Sequence, residues 1–329
     1  MPRILRAQHQ RFALTRPFRI ARGVKTAAEV VEVTIEDGEF TGRGESVPYP
    51  RYGESIDSTL AALEEVRAAV EAGAGREALL SLLPAGAARN ALDCALWDLE
   101  ARLTGRTVAD MIGAPAPGPV PSALTIVIDT PTAMAAAAKE GRHAPLLKVK
   151  VDAQDPAARI RAVRSAAPDA SLIIDPNESW NGELLEAMQP VLVETGVALL
   201  EQPLPAGADD WLEGFASAIP ICADESVHVE EDLPVVASRY QLVNVKLDKA
   251  GGLTAALRLA EAARACGLGL MTGCMVSTSL SIAPALHVAR LSDFVDLDGP
   301  LWLLEDRPGG AREAGGTLFP PETGFWGEP

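Results

Sequence analysis

The chain is predicted to fold as a parallel (β/α) barrel with a smaller α+β unit ahead of it. Three observations predict this. Six charged residues, Lys150, Asp175, Glu201, Asp224, Lys246 and Asp296, recur at intervals of 25, 26, 23, 22 and 50 residues, the last being a double step. Each ends a short apolar run such as Leu172-Ile173-Ile174 or Val197-Ala198-Leu199-Leu200. The segments between the runs are rich in helix formers, as in Asp155–Ala167 and Thr254–Cys266. Short apolar strands alternating with helices argue for a parallel sheet. A charge at the end of a buried strand is costly unless it is paired or liganded. Its recurrence on strand after strand implies that the charges converge at the carboxyl-terminal mouth of a barrel, where polar strand ends read as catalytic. An open doubly wound sheet is the structural alternative, but it would spread the charges along an edge.

The elements follow in order. The run Ala123–Ile128 fits a first strand, and Gly267–Met271, ending at Thr272-Gly273-Cys274, fills the double step. That makes eight strands between about 122 and 298. Ahead of them, residues 29–35 alternate in part and Asp37-Gly38 offers a hairpin turn. Two helices follow, about Asp57–Ala72 after Ser55 and Ala85–Leu103 before Gly105. The expected organisation is a capping α+β unit over 1–118, a barrel over 119–298, and a tail over 299–329 that packs back on the capping unit. Pro115, Pro117, Pro119 and Pro121 are expected to form a stiff linker.

Composition narrows the function. With 29 basic and 45 acidic residues the formal charge is −16 over 329 residues. That argues against non-specific binding to nucleic acid or anionic membranes. No run approaches the 18 or so apolar residues of a membrane span. The four cysteines form no CxxC pair, and no secretory pattern follows Met1. The expectation is a reduced, cytoplasmic protein acting on a small molecule; a homo-oligomer is an open option.

In an eight-strand ring, Lys148 and Lys150 end the second strand and Lys246 the sixth, on opposite walls. Asp175, Glu201 and Asp224 fill the arc between. Three adjacent carboxylates suit a hard divalent ion, Mg²⁺, which keeps positions open for substrate oxygens. A metal there stabilises the charge that develops when a proton leaves carbon alpha to a carboxylate. Lys150 and Lys246 then serve as base and acid on opposite faces, the arrangement for racemisation or epimerisation. Nearby positive charge from Lys148 and the metal is expected to lower their pKa. Asn177, Glu225, Ser226 and Asp248 are expected to support these groups. Plainer readings exist: a solvated lysine pair, a buried salt-bridge network, Asp248 as a simple partner of Lys246, and a turn-capping role for Asp296 and Asp298. His228 reads as a supporting residue rather than a ligand, and no histidine is spaced to activate Cys274.

Taken as an ordered set, Lys148-Val149-Lys150, Asp175-Pro176-Asn177, Glu201-Gln202-Pro203, Asp224-Glu225-Ser226 and Asn244–Lys249 resemble the enolase superfamily, in its muconate-lactonizing-enzyme-like subgroup. The resemblance covers essentially the whole chain. It implies a modified barrel, (β/α)7β, under an α+β cap, with a lysine base and Mg²⁺. Within the subgroup, Asp296–Pro300, Pro48–Ser55, Pro84–Asp93 and Leu247–Gly252 are similar to dipeptide epimerases of the L-Ala-D/L-Glu kind. That implies a peptidoglycan-derived dipeptide, with Asp296 and Asp298 holding its ammonium. It also implies a loop cation for the glutamate side chain; here Lys25 stands where an arginine is usual, with Arg22 nearby and Tyr52 in the neighbouring loop. Lysine keeps the charge but loses the bidentate fork. Competing enzyme readings are N-acylamino-acid racemase, o-succinylbenzoate synthase and muconate cycloisomerase, none of which needs an acidic pair for an ammonium. A catalytically silent peptide-binding barrel is the non-enzyme alternative.

Overall fold

A computed structural model describes residues 3–329; residues 1 and 2, where the expected capping unit begins, lie outside the described residues. Three antiparallel strands open the chain: β1 (Ile4–Ile20), β2 (Gly23–Asp37) and β3 (Phe40–Ser46), in sheet order β1-β2-β3. The turn falls at Gly38, with φ +64°. Helix Ile56–Glu71 starts from a Ser55 cap whose side chain accepts from Ser58 N. Helix Ala87–Thr104 is buried along almost its whole length and ends at Gly105 in the left-handed conformation. It can lie this close to the sheet because β3 carries Gly42 and Gly44. A Cβ at either would sit 2.2 Å from Ala95 O or 2.1 Å from Ala91 O.

The barrel holds eight parallel strands: β5 (Leu124–Ile126), β6 (Leu146–Lys150), β7 (Ser171–Asp175), β8 (Val197–Glu201), β9 (Ile221–Ala223), β10 (Leu242–Val245), β11 (Gly269–Gly273) and β12 (Phe294–Asp296). They pair in chain order, and Ala123 N donates to Val295 O at 2.8 Å to bring the ends together. The proline stretch before the barrel is not only a linker. Val120–Pro121 forms a short strand, β4, that pairs with Thr317 and Leu318 of the tail; β13 (Arg312–Ala314) and β14 (Thr317–Phe319) complete that sheet.

The barrel interior follows from the two-residue period of a strand. One apolar side chain from each strand, or the residue just before it, makes a floor: Ala123, Leu146, Ile173, Leu199, Cys222, Leu242, Met271 and Phe294. Two residues further along each strand, the same face presents Thr125, Lys148, Asp175, Glu201, Asp224, Asn244, Gly273 and Asp296. The apolar floor seals the bottom of the barrel, and the polar layer above it is the site.

Helix Ala87–Thr104 docks on the segment that follows β10. Arg89 donates to Ala250 O (2.7 Å) and Gly251 O (3.1 Å), and Asp93 accepts from Thr254 N (2.9 Å) and Oγ1 (2.6 Å). Gly252, at φ +109°, leaves room for Asp93, whose carboxyl would collide with any Cβ there. The tail closes the other side. Arg307 bonds Glu45 of β3 (2.8 Å), and Glu45 in turn accepts from Thr278 N (2.8 Å).

Candidate active site

The polar layer opens into a cavity of about 490 Å³ between the barrel mouth and the loops of the cap. From the barrel it is lined by Lys148, Lys150, Asp224, Lys246, Asp296 and Asp298, and from the cap by Arg22, Lys25, Tyr49, Arg51 and Tyr52. Phe18, Ile20, Val24, Met275 and Val276 supply apolar wall.

Lys148 is fully buried at the centre. Its Nζ lies 2.7 Å from Glu201 Oε2, 2.7 Å from Asp296 Oδ2 and 3.2 Å from Asp175 Oδ2. Lys150 donates to Asp175 Oδ2 at 2.5 Å, and Lys246 to Asp224 Oδ2 at 2.6 Å from the far wall. The structure thus brings Lys150 and Lys246, from just above the polar layer, into contact with two of its three carboxylates. Burial pulls Lys246 toward the neutral form, but the adjacent Asp224 carboxylate prevails and raises its pKa. Lys148 is likewise raised: burial opposes, and Asp296, Glu201 and Asp175 prevail. The expectation of a lowered value counted the charge of a bound metal as well as Lys148; among the protein's own groups, the Asp224 carboxylate beside Lys246 outweighs Lys148.

Several groups hold these side chains. Asp175 Oδ1 accepts from Asn177 N (2.8 Å), and Asn244 Nδ2 donates to Glu201 Oε1 (2.8 Å). Asp248 does not pair with Lys246. It accepts from Val47 N and Asn90 Nδ2, both at 2.9 Å, and so fastens the cap to the end of β10; burial pushes its pKa up to about 7. Ser226 joins Gln202, Asp209 and Tyr240 behind the site. His228 packs its ring edge-on against Tyr52, centroids 4.5 Å apart.

Sequence reasoning missed three residues here. Lys249 reaches Asp224 Oδ1 (2.7 Å) and Asn244 O (2.9 Å) from beneath, so Asp224 carries two ammonium groups. Its spacing of three from Lys246, on a turn of helix, was the available signal. Gln202, in a left-handed conformation at φ +34°, accepts from Asp224 N at 2.8 Å and Ser226 N at 3.1 Å. Gly273 is the uncharged step of the repeat. A Cβ there would meet Asn244 Oδ1 at 2.7 Å and Lys246 Cε at 3.0 Å, so glycine leaves the space that Lys246 occupies.

At the far end, Asp296 Oδ1 is buried with no hydrogen-bond partner. Asp298 accepts from Thr125 N (2.7 Å) and Trp302 Nε1 (3.2 Å), and burial with Asp296 alongside pushes its pKa up to about 6. Cys274 beside them is no thiolate, since burial and the two aspartates push its pKa far up. On the cap side, Arg22 is already engaged: it pairs with Glu225 (2.6 Å) and Glu178 (2.9 Å) and donates to Tyr49 Oη (3.2 Å). Lys25 makes no ion pair among the described residues. Its Nζ lies 4.8 Å from the Tyr49 ring centre, and burial, with Arg22 and Lys246 near, lowers its pKa.

Among the described residues, no three acidic, histidine or cysteine side chains already stand in a cage, because Lys148 lies between them. The chemistry nevertheless fits a hard cation. Asp175, Glu201 and Asp224 are wholly buried oxygen donors, and Glu201 Oε2, though 2.7 Å from Lys148, makes no directed hydrogen bond. Burial and the Asp175 charge raise the Glu201 pKa, a cost that a bound cation would relieve.

A capped barrel whose mouth joins three carboxylates to lysines on opposite walls defines an enolase-type enzyme. The comparisons agree: residues 4–113 match the mandelate racemase / muconate lactonizing enzyme N-terminal domain, and residues 132–304 match the enolase C-terminal domain-like family. The chain belongs to the mandelate racemase / muconate lactonizing enzyme family of the enolase superfamily. It is 50% identical over 306 residues to an L-Ala-D/L-Glu epimerase of Escherichia coli, spanning 92% of this chain and 95% of that one. It is 46% identical over 300 residues to an N-acetyl-D-glutamate racemase of Pseudoalteromonas, spanning 91% and 95%. An enolase family member of Agrobacterium tumefaciens, with homology to dipeptide epimerases and solved with sodium and L-Ala-L-Glu, superposes with a TM-score of 0.97 at 49% identity, over 99% and 100% of the two chains. A dipeptide epimerase of Methylococcus capsulatus, solved with Mg and L-Arg-D-Lys, gives 0.88 at 32% identity over 98% of each.

Proposed function

We propose that this protein is a Mg²⁺-dependent dipeptide epimerase that inverts the alpha-carbon of a C-terminal acidic residue, with L-Ala-D/L-Glu of peptidoglycan origin as the substrate class. The observation that carries the reading is the pair Lys150 and Lys246, held on opposite walls by Asp175 and Asp224, with an aspartate pair at the far end of the same cavity. Asp175, Glu201 and Asp224 would hold the metal, which supplies positive charge opposite the substrate carboxylate as the alpha-proton leaves. Lys150 and Lys246 take and return that proton on opposite faces. Asp296, with one unpaired buried oxygen, and Asp298 face the substrate ammonium. Lys25, the cap cation not committed to an ion pair, meets the side-chain carboxylate.

A second reading, racemisation of an N-acylated acidic amino acid, is favoured by two observations. One oxygen of Asp298, Oδ2, already takes both Thr125 N and Trp302 Nε1, and the 46% identical relative is an N-acetyl-D-glutamate racemase. Incubating a dipeptide library and N-acylamino acids with the enzyme and Mg²⁺ in deuterated water, read by mass for alpha-deuterium, tests both. Exchange confined to dipeptides ending in Glu or Asp supports the first reading; exchange confined to N-acyl compounds replaces it.

A further inference from the structure

Glu178 follows Asn177 in the loop after β7, and both residues adopt left-handed φ, +68° and +46°. Consecutive non-glycine residues in that region persist only where their surroundings fix them. The side chain of Glu178 is 7% exposed, yet every group that binds it comes from another segment. Oε2 accepts from Arg22 Nη1 (2.9 Å) of the β1–β2 hairpin and from Arg51 Nε (2.8 Å) of the turn Pro50–Tyr52. Oε1 accepts from Arg51 Nη2 (2.7 Å) and from Ala206 N (2.8 Å) of the loop after β8. Arg22 also donates to the Asn177 carbonyl at 3.0 Å. One carboxylate of the barrel therefore ties two separate loops of the cap, and both loops line the cavity.

We propose that Glu178 is a positioning residue that bolts the β1–β2 hairpin and the Arg51 turn over the barrel mouth, and so sets how tightly substrate is held. It does not touch the proposed reacting atoms and acts through Arg22 and Arg51. A fork-to-carboxylate pair such as Arg51–Glu178 fixes direction as well as charge. Without it Arg22 at the hairpin tip keeps Glu225 (2.6 Å) and the Asn177 carbonyl (3.0 Å) but loses one of its two carboxylates, and Arg51 loses the carboxylate that takes both arms of its fork. The closed, substrate-ready arrangement then becomes a smaller fraction of the free enzyme, and apparent affinity falls by that fraction.

The kinetic consequence rests on the proposed epimerase reading; the mobility of the hairpin does not. Glu178→Gln keeps the volume and removes the charge, and Arg51→Met removes the fork from a half-exposed site. Thermolysin, which cuts before large apolar residues, is applied to the substrate-free proteins, and cleavage before Ile20 and Val24 is followed by mass. Both variants are expected to be cut there at least fivefold faster than the native protein. KM for L-Ala-L-Glu is expected to rise about five- to twentyfold while kcat stays within threefold. The double variant should be no worse than the worse single one, as for parts of one latch. Unchanged cleavage in both variants would overturn the proposal, as would a collapse of kcat at unchanged KM, which would place Glu178 in the chemistry through Asp175. If the native protein does not turn over L-Ala-L-Glu, the function reading fails and the cleavage rates still decide the latch.

Discussion

Lys246 donates to Asp224 across 2.6 Å, so a proposed proton carrier and a proposed metal ligand are held by each other. Lys150 and Asp175 repeat the relationship on the opposite wall at 2.5 Å. Breaking a buried pair from one side costs about 3–5 kcal/mol when it leaves a lone charge. Here neither lysine is its partner's sole support. Asp224 keeps Lys249 at 2.7 Å, and Asp175 keeps Lys148 at 3.2 Å. Lys150→Ala and Lys246→Ala should therefore fold. Each should lose epimerisation while still exchanging the alpha-proton of one substrate epimer with solvent, and the two should prefer opposite epimers. Measured by NMR in deuterated buffer, epimerisation by either variant at the native rate would refute the two-base assignment.

Metal dependence has a clean variant for the same structural reason. Asp224→Asn would leave Lys246 and Lys249 facing each other without an anion, mixing a folding defect with a binding one. Glu201→Gln keeps the Asn244 contact and Lys148 keeps Asp175 and Asp296. It should lower Mg²⁺ affinity, read by calorimetry, and activity together. Chelation should abolish turnover of the native enzyme and added Mg²⁺ restore it. Full activity after exhaustive chelation, with no metal by elemental analysis, would sink the mechanism.

Lys25 carries the choice of side chain. A hydrogen bond to a charged group is worth about 1.5–3 kcal/mol. Lys25→Met should thus lower kcat/KM for Ala-Glu by roughly ten- to a hundredfold and leave an uncharged C-terminal residue much less affected. Lys25→Arg should keep most of the activity. Equal losses on acidic and neutral dipeptides would show that Lys25 shapes the loop rather than reads the carboxylate.

Stability should fall on the acid side through His287. The ring is buried in helix Ser279–Ala289, its Nδ1 has no partner, and burial lowers its pKa to about 4. The unfolded chain binds a proton near pH 6.5 that the folded one refuses. Stability from this group is therefore present above about pH 6.5 and lost toward pH 4, by up to about 1.4 kcal/mol per pH unit. Asp93 and Asp248, with raised values, act in the opposite direction but are common to native protein and variant. In urea unfolding, His287→Gln should gain on the native protein between pH 6.5 and 4. A constant difference across that range would remove His287 from the account.

What was legible in the sequence followed from period and spacing. The barrel strands share one rule, an apolar floor residue followed two positions on by a residue of the site; five of the eight carry a charge there (Lys148, Asp175, Glu201, Asp224 and Asp296), and Lys150 and Lys246 stand two positions further still. The capping helices were legible through Ser55 and Gly105. Strand β1 was not, because its inner face is only half-buried beyond Leu5 and its alternation breaks at Gln8-His9 and again at Thr15-Arg16-Pro17, where the pairing register shifts. The pairing of Val120 with Leu318 was hidden because the two lie far apart in the chain and Pro121 reads as linker. Lys249, Gly273 and Glu178 escaped notice because their partners are set by three-dimensional approach. The Lys246–Asp224 contact was hidden for the same reason: neighbours were countable, but the atom nearest the ammonium was not.

The substrate's amino end separates the two readings of the site. Asp296 Oδ2 is taken by Lys148 at 2.7 Å, while Oδ1 is buried and unpaired. Asp298 already accepts from Thr125 N, which an asparagine oxygen could also do. Asp298→Asn should therefore preserve the fold and remove only charge. An ammonium between the two carboxylates gains charge-assisted contacts of about 1.5–3 kcal/mol each. An acetamide gains none and leaves the carboxylates desolvated. Acetylating L-Ala-L-Glu should then lower kcat/KM by at least roughly tenfold, and Asp298→Asn should hurt the free dipeptide more than the acetylated one. The comparison is L-Ala-L-Glu, N-acetyl-L-Ala-L-Glu and N-acetyl-glutamate, run in parallel on both proteins. If the acetylated compounds turn over as well or better, the aspartate pair serves Thr125 and Lys148 rather than substrate, and the N-acylamino-acid racemase reading replaces the dipeptide one.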